Sequence, residues 1–164
     1  MFIFIGFSTV SKKNKKREVA LSACLLGCSC RYDAKDNLNS LLLSQLESFT
    51  IVPFCPEDYA FGTPRPTMDL MVDNCTVRAV SNETHHDLSE PIFSYAQNFF
   101  KEYSNIELFI GKDRSPSCAV RSGKVYDKEK ALVHKKGTGL MAQVALDLKI
   151  ESWDAEEYLL NHTS

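Results

Sequence analysis

Histidine is scarce in this chain, which removes the commonest catalytic and zinc-binding side chain from most of it. Only four histidines occur among 164 residues. His85 and His86 fall in a polar turn, His134 in a charged stretch and His162 at the tail. That scatter argues against a histidine-built zinc site. Glycine is sparse too, with seven residues. Gly137-Thr138-Gly139 lacks the further positions of a dinucleotide or P-loop fingerprint and reads as a plain helix N-terminal turn. No long apolar run is present. Met1-Phe2-Ile3-Phe4-Ile5-Gly6-Phe7 is too short to cross a bilayer, and no positive charge precedes it as in a secretory signal. Charge of one sign is not in excess either. A net charge of −2 gives no expectation of bulk nucleic-acid binding. The basic run Lys12-Lys13-Asn14-Lys15-Lys16-Arg17 reads as a solvated lead-in to the first strand. These absences predict a cytoplasmic protein with neither membrane nor bulk nucleic acid as partner.

What remains is an ordinary globular composition, 44% hydrophobic and 24% charged, at a length that suits one core. Residues 1–17 read as a flexible extension and residues 18–164 as a single domain, without internal repeats or a low-complexity linker. Strand-like runs cover Glu18–Ala23, Thr50–Phe54, Glu107–Gly111 and Ile150–Trp153. Pro53 marks the second run as an edge or a strand end. Leu38, Leu41, Leu42 and Leu46 recur at helical spacing behind a candidate cap, Asn37. Glu90–Tyr103 is helical, with Ser89 as candidate cap and Pro91 in the first turn. A further helix carries Leu140, Val144, Ala145 and Leu148, and a terminal one spans Asp154–Leu160. Leu70–Val72 and Val77–Val80 read as a small hairpin turning at Asp73-Asn74, with Cys75 lengthening the connection. Cys55 to Pro66 reads as a long functional loop, and Gly123 as the centre of a turn region. Strands alternating with helices predict an α/β fold: a single domain with a mostly parallel sheet flanked by helices, Rossmann-like and three-layered.

Six cysteines stand against this background. Without a secretion signal, free thiols or metal ligands are expected rather than disulfides. Cys75 reads as a turn residue without function. Cys24, Cys28 and Cys30 form C-x3-C-x-C, a local metal or thiol-redox candidate, although the spacing is not the zinc C-x2-C pair. A second grouping is more telling. Cys24 and Cys55 each follow a strand-like run, and Cys118 lies a few residues beyond another. In a parallel sheet those strand ends converge on one edge. Three thiols there are candidates to hold a metal or an iron–sulfur cluster. Three ligands on a 4Fe–4S cluster leave one iron open as a Lewis acid.

The segments Val19-Ala20-Leu21-Ser22-Ala23-Cys24-Leu25-Leu26-Gly27, Arg31-Tyr32-Asp33, Val52-Pro53-Phe54-Cys55-Pro56-Glu57, Gly62-Thr63-Pro64-Arg65-Pro66 and Ser115-Pro116-Ser117-Cys118 occur in this order. The set resembles the thiouracil desulfidase family, small bacterial proteins long catalogued as a domain of unknown function, over about Val19 to Glu151. The resemblance implies a 4Fe–4S cluster held by Cys24, Cys55 and Cys118, with one open iron that takes sulfur from a thiolated pyrimidine base or nucleoside. Thiouracil becomes uracil and hydrosulfide leaves, with no net redox change. It also implies iron–sulfur assembly machinery as a partner. Ala119 departs from the glycine usual after the third cysteine, and it would be strained if the position needs positive φ. His86-Asp87-Leu88-Ser89, Cys28 and Cys30 are further departures.

Physical reasoning places the other polar residues. Glu57, two positions after Cys55, is a candidate to activate water or carry protons, or else to accept loop N–H groups. Ser115 is a candidate to orient water or the leaving sulfur, or else to cap a turn. Arg65, between two prolines, is a candidate to bind a substrate oxygen or a loop carboxylate. Arg31 and Asp33 are expected to pair and brace the Cys24 loop. Two rival readings are a cluster-binding sensor or structural module without turnover, and a zinc or thiol-redox protein using Cys24, Cys28 and Cys30.

Overall fold

Along β1 (Glu18–Ser22), Val19 and Leu21 point to one side and Ala20 to the other, as the two-residue period of a strand requires. On β5 (Ile106–Gly111) the same alternation puts Leu108 and Ile110 with the first pair and Phe109 with Ala20. Strands apolar on both faces need covering on both. The computed structural model, which describes residues 15–163, provides that cover. β1 and β5 lie at the centre of a fully parallel sheet of order β2-β1-β5-β8, with β2 (Thr50–Phe54) and β8 (Glu151–Asp154) at its edges. Pro53 therefore sits on an edge strand, where its missing N–H costs least.

Helices α3 (Ser89–Glu102) and α4 (Leu140–Asp147) cover the Ala20–Phe109 face through Ala96, Phe99, Phe100, Met141 and Ala145. Phe54 stacks on Phe109 beneath them, with ring centroids 4.9 Å apart. Helices α1 (Ser40–Gln45) and α5 (Ala155–His162) cover the other face through Leu42, Leu46, Ala155 and Tyr158. The domain is the expected three-layered α/β fold.

A second four-stranded sheet lies beside it, of order β4-β3-β6-β7. β3 (Met68–Asp73) pairs antiparallel with β4 (Thr76–Ser81) and parallel with β6 (Gly123–Tyr126), and β6 pairs antiparallel with β7 (Leu132–Gly137). Its apolar side meets α3 and α4 through Ile92 and Leu140. The β3–β4 hairpin was expected, but its turn is Asn74-Cys75, both at positive φ (46° and 65°). Two left-handed residues suit the tight turn whose twist matches the strands, so Cys75 belongs to the turn instead of lengthening it. β6 and β7 replace the expected turn region around Gly123.

Other boundaries also move. The cap of α1 is Asn39, which accepts from the Leu42 N–H at 3.0 Å, not Asn37. Ser89 does not cap α3, since its hydroxyl accepts the Ala79 N–H at 3.0 Å. The long loop after Cys55 contains a helix, α2 (Pro56–Phe61). Proline at its first position and Glu57 and Asp58 in its first turn are favourable starts. Residues 1–14 of the expected extension lie outside the described residues. No helix among the described residues is long and apolar enough to cross a membrane.

Candidate active site

The parallel strands β1, β2 and β5 end at one edge of the sheet, where α/β folds bind ligands. Cys24 lies in the 3₁₀ turn Ala23–Leu26 that follows β1. Cys55 follows β2 directly and precedes α2. Cys118 comes from the loop after β5. All three line one open cavity of about 470 Å³, together with Glu57, Arg65 and Ser115. The six residues singled out in the sequence thus share one site. Cys28 is exposed and does not line it, whereas Cys30 is buried and does. Cys75 is exposed on its turn. Among the described residues, no three His, Cys, Asp or Glu side chains gather closely enough for a single metal ion. Three soft thiol donors spread around one cavity fit a larger iron–sulfur group, which takes thiolates on separate irons.

The Cys118 loop is held tightly from both sides. A Cβ on Gly111, the last residue of β5, would fall 1.7 Å from the Cys118 carbonyl oxygen. A Cβ on Gly139, just before α4, would fall 2.4 Å from the Ser117 carbonyl carbon and 2.6 Å from the Cys118 nitrogen. Both glycines are there for close approach. The first N–H groups of α4 are already used. Gly139, Leu140 and Met141 donate to Ala119, Pro116 and Ser117 carbonyls at 2.7, 3.1 and 2.9 Å. The Gly137-Thr138-Gly139 turn therefore caps a helix with the Cys118 loop itself. The buried Asp154 carboxylate accepts the Val120 and Arg121 N–H groups, each at 2.8 Å, on the far side. Ala119 is fully buried and is not among the positive-φ residues, so the alanine is accommodated without the strain its position raised.

Glu57 and Arg65 knit the loops together. Ser117 Oγ donates to Glu57 Oε1 at 2.7 Å, and Arg65 Nε and Nη2 donate to Oε2 at 3.3 and 3.2 Å. Arg65 Nη2 also donates to the Cys30 carbonyl at 2.9 Å, and Nη1 donates to the Gly62 carbonyl and Thr63 hydroxyl. All five guanidinium N–H donors are thereby directed at protein acceptors. Ser115 Oγ accepts the Ser117 and Cys118 N–H groups at 3.2 and 3.1 Å. Arg31 pairs with Asp33 at 3.4 Å and donates to Asn37 Oδ1 at 2.9 Å.

The thiols differ sharply in acidity. A hydrogen bond from Cys30 holds the Cys24 thiol at about 6, down from 9.0, with Asn37, Lys112 and Arg31 adding to the effect against burial. Cys55 is also lowered, first by Cys30 and then by the Asp58 N–H and Arg65, again against burial. Cys30 is pushed up because its proton serves both neighbours. Burial pushes Cys118 well up, with Glu57 and Cys55 adding, while Ser22 and Ser115 hydrogen bonds work against it. Sequence reasoning singled out Cys30 only for the C-x3-C-x-C candidate, and it missed Ser22, Asn37 and Ser117 as parts of this site. Ser22 and Ser117 carried a signal, their places inside the Val19–Gly27 and Ser115–Cys118 motifs, and Asn37 carried none beyond its reading as a helix cap.

A parallel α/β sheet with a thiol-lined cavity at its strand ends presents soft donors at the edge where such folds bind ligands. The 2-thiouracil desulfurase family model matches residues 19–157, and the chain belongs to that family. Among solved structures, the [4Fe-4S]-dependent thiouracil desulfidase TudS is similar at 25% identity and a TM-score of 0.67, covering 89% of this chain and 98% of its own. No curated protein matches the chain.

Proposed function

We propose that this chain removes sulfur from a thiolated pyrimidine, converting thiouracil or a related base, nucleoside or thioamide to the oxo compound and hydrosulfide. Cys24, Cys55 and Cys118 are the residues that would hold a 4Fe–4S cluster. One observation carries the reading: these three thiols line a single cavity with Glu57 and Ser115 in a member of the desulfurase family. Bound there by three cysteines, a cluster would supply one open iron as a Lewis-acid position for sulfur.

The rest of the chemistry belongs to the chain. Replacing C=S by C=O with water consumes one water and releases hydrosulfide, so carbon and sulfur keep their oxidation states. Water must lose protons as its oxygen bonds to carbon. Glu57, between the Cys55 and Cys118 loops, is the proposed proton acceptor. The Ser115 hydroxyl is the proposed group that orients water or the departing sulfur. Arg65, with its donors directed at Glu57, Cys30, Gly62 and Thr63, acts as a strut that fixes Glu57 instead of a substrate ligand. Cluster delivery by assembly machinery and a cytoplasmic setting belong to the same proposal.

The test is turnover by anaerobically reconstituted protein. Equal amounts of uracil and sulfide from 2-thiouracil are expected. A complete cluster that turns over no thiolated base, nucleoside or thioamide would instead favour a cluster-binding sensor. Colourless protein holding one zinc would favour the zinc reading, against which stands the exposed Cys28 outside the cavity.

A further inference from the structure

Asn37 reads in the sequence as a helix cap, but the fold gives that task to Asn39. The Asn37 side chain is left half-buried on the wall of the thiol cavity. Its backbone is locked there. The Asn37 N–H donates to the Cys24 carbonyl and the Asn39 N–H to the Leu25 carbonyl, at 2.9 and 3.1 Å. Residues 37–39 therefore run along the Cys24 turn.

The side chain is fixed as well. Arg31 Nη1 donates to Asn37 Oδ1 at 2.9 Å. Arginine only donates, so the atom facing it must be the amide oxygen, and the NH2 group is turned the other way. Arg31 is itself held by Asp33 at 3.4 Å, and its guanidinium lies 5.5 Å from the centre of the Tyr32 ring. Among the described residues, no protein oxygen or nitrogen accepts from Asn37 Nδ2. Even with one N–H beside the Cys24 sulfur, the amide keeps a second donor.

A neutral thiouracil ring offers two strong acceptors, its sulfur and its remaining carbonyl oxygen, because both ring nitrogens carry hydrogen. In the reading above the sulfur goes to the open iron. The oxygen then needs a donor from the chain. Arg65 has none to spare, since its donors are directed at Glu57, Cys30, Gly62 and Thr63. Lys112 also lines the cavity, but its ammonium suits an anion better than a neutral carbonyl. We propose that Asn37 is a substrate-binding residue whose side-chain N–H donates to the carbonyl oxygen of a thiolated pyrimidine, and so selects rings that carry C=O as well as C=S. The inference rests on the thiolated-pyrimidine reading. A site built to hydrogen-bond a substrate oxygen rejects the analogue that lacks it, because its own donor is left unpaired.

The experiment compares wild type with Asn37→Asp and Asn37→Leu after anaerobic reconstitution. The Asp variant keeps an oxygen for Arg31 and removes both N–H donors, and the Leu variant removes all polar atoms at similar volume. Iron per chain is measured first and is expected to be equal in all three. Then kcat/KM is measured for 2-thiouracil and for pyrimidine-2-thione, which lacks the carbonyl, and the affinities of uracil and pyrimidin-2-one for the same reconstituted proteins are measured by calorimetry. Wild type should prefer the carbonyl-bearing compound of each pair by about 10-fold or more, the scale of one hydrogen bond whose loss leaves a donor unpaired. In both variants each ratio should fall toward one. Variants that keep the wild-type ratios overturn the inference. Loss of iron in both variants makes Asn37 a support of the Cys24 turn and also overturns it. A wild type that produces no uracil from 2-thiouracil overturns the parent reading and this inference with it. A wild type that produces uracil yet shows no preference in either pair overturns this inference alone.

Discussion

Ser117 and Glu57, 60 positions apart in the chain, are joined by a hydrogen bond of 2.7 Å from the serine hydroxyl to Oε1. The other carboxylate oxygen faces Arg65, and Arg65 reaches the Cys30 carbonyl. One carboxylate therefore ties together the loops that carry Cys55, Cys118 and Cys30.

Glu57→Gln tests whether this tie also carries protons. The amide oxygen would face Arg65, which only donates, and the amide NH2 would face Ser117 Oγ, which can rotate to accept. The fold and iron content should survive. Turnover should fall by a factor on the order of 100 or more, the usual scale of general acid–base help. Kinetics on protein of measured iron content checks this. Loss of iron would mark Glu57 as a structural tie, and full activity would remove it from the mechanism.

Arg65→Met should act on stability before it acts on binding. The arginine side chain is 4% exposed and that of Glu57 is 14% exposed. Removing one partner of such a buried pair costs about 3–5 kcal/mol. Urea denaturation of the cluster-free protein should show a loss of that order. A raised KM with unchanged stability would return Arg65 to substrate binding.

Gly139→Ala should damage the Cys118 loop without touching a thiol. The added methyl would sit 2.4 Å from the Ser117 carbonyl carbon and 2.7 Å from its oxygen, both backbone atoms. Either the loop or the start of α4 must shift, and overpacking of this kind costs about 1–3 kcal/mol. Iron per chain after reconstitution should drop. Full iron loading at wild-type stability would show that the loop yields freely.

The cluster-free protein should gain stability with rising pH in the neutral range. A thiol depressed in the folded state adds stability that is complete above its unfolded pKa and is lost as pH falls through the folded one. For Cys24 that window runs from 9.0 down to about 6, and Cys55 shifts the same way. The raised Cys30 and Cys118 oppose this only above their unfolded value. Urea midpoints between pH 6 and 9 check the sign, and alkylation of the reduced protein should label Cys24 with a midpoint of about 6. A flat profile with Cys24 unreactive at pH 7 would contradict the hydrogen-bonded thiolate.

The central sheet was legible because Val19–Leu21 and Leu108–Ile110 are apolar on both faces, a pattern only a covered strand explains. Helix α3 was legible from Ile92, Ala96, Phe99 and Phe100 on one face. The convergence of Cys24, Cys55 and Cys118 followed from their places after strands. β7 was not legible, since five of its six residues are exposed and only Gly137 is buried. α2 was hidden by Pro56 and Gly62, read as loop formers although proline also suits a helix start. The part of Cys30 beside Cys24 and Cys55, and the ties from Ser117 and Asn37, depend on how loops fold back, which no periodicity records.

The most direct test of the central claim is iron and labile sulfide per chain in anaerobically reconstituted wild type and in the single variants Cys24→Ser, Cys55→Ser, Cys118→Ser and Cys75→Ser. The predicted result is about four irons with matching sulfide in wild type and in Cys75→Ser, since the full 4Fe–4S complement is assigned to Cys24, Cys55 and Cys118, and Cys75 is exposed on its turn outside the cavity. Each of the other three variants should lose most of its iron, because a hard alkoxide replaces a soft thiolate. Retention of the cluster in Cys55→Ser, or its loss in Cys75→Ser, would contradict the assignment.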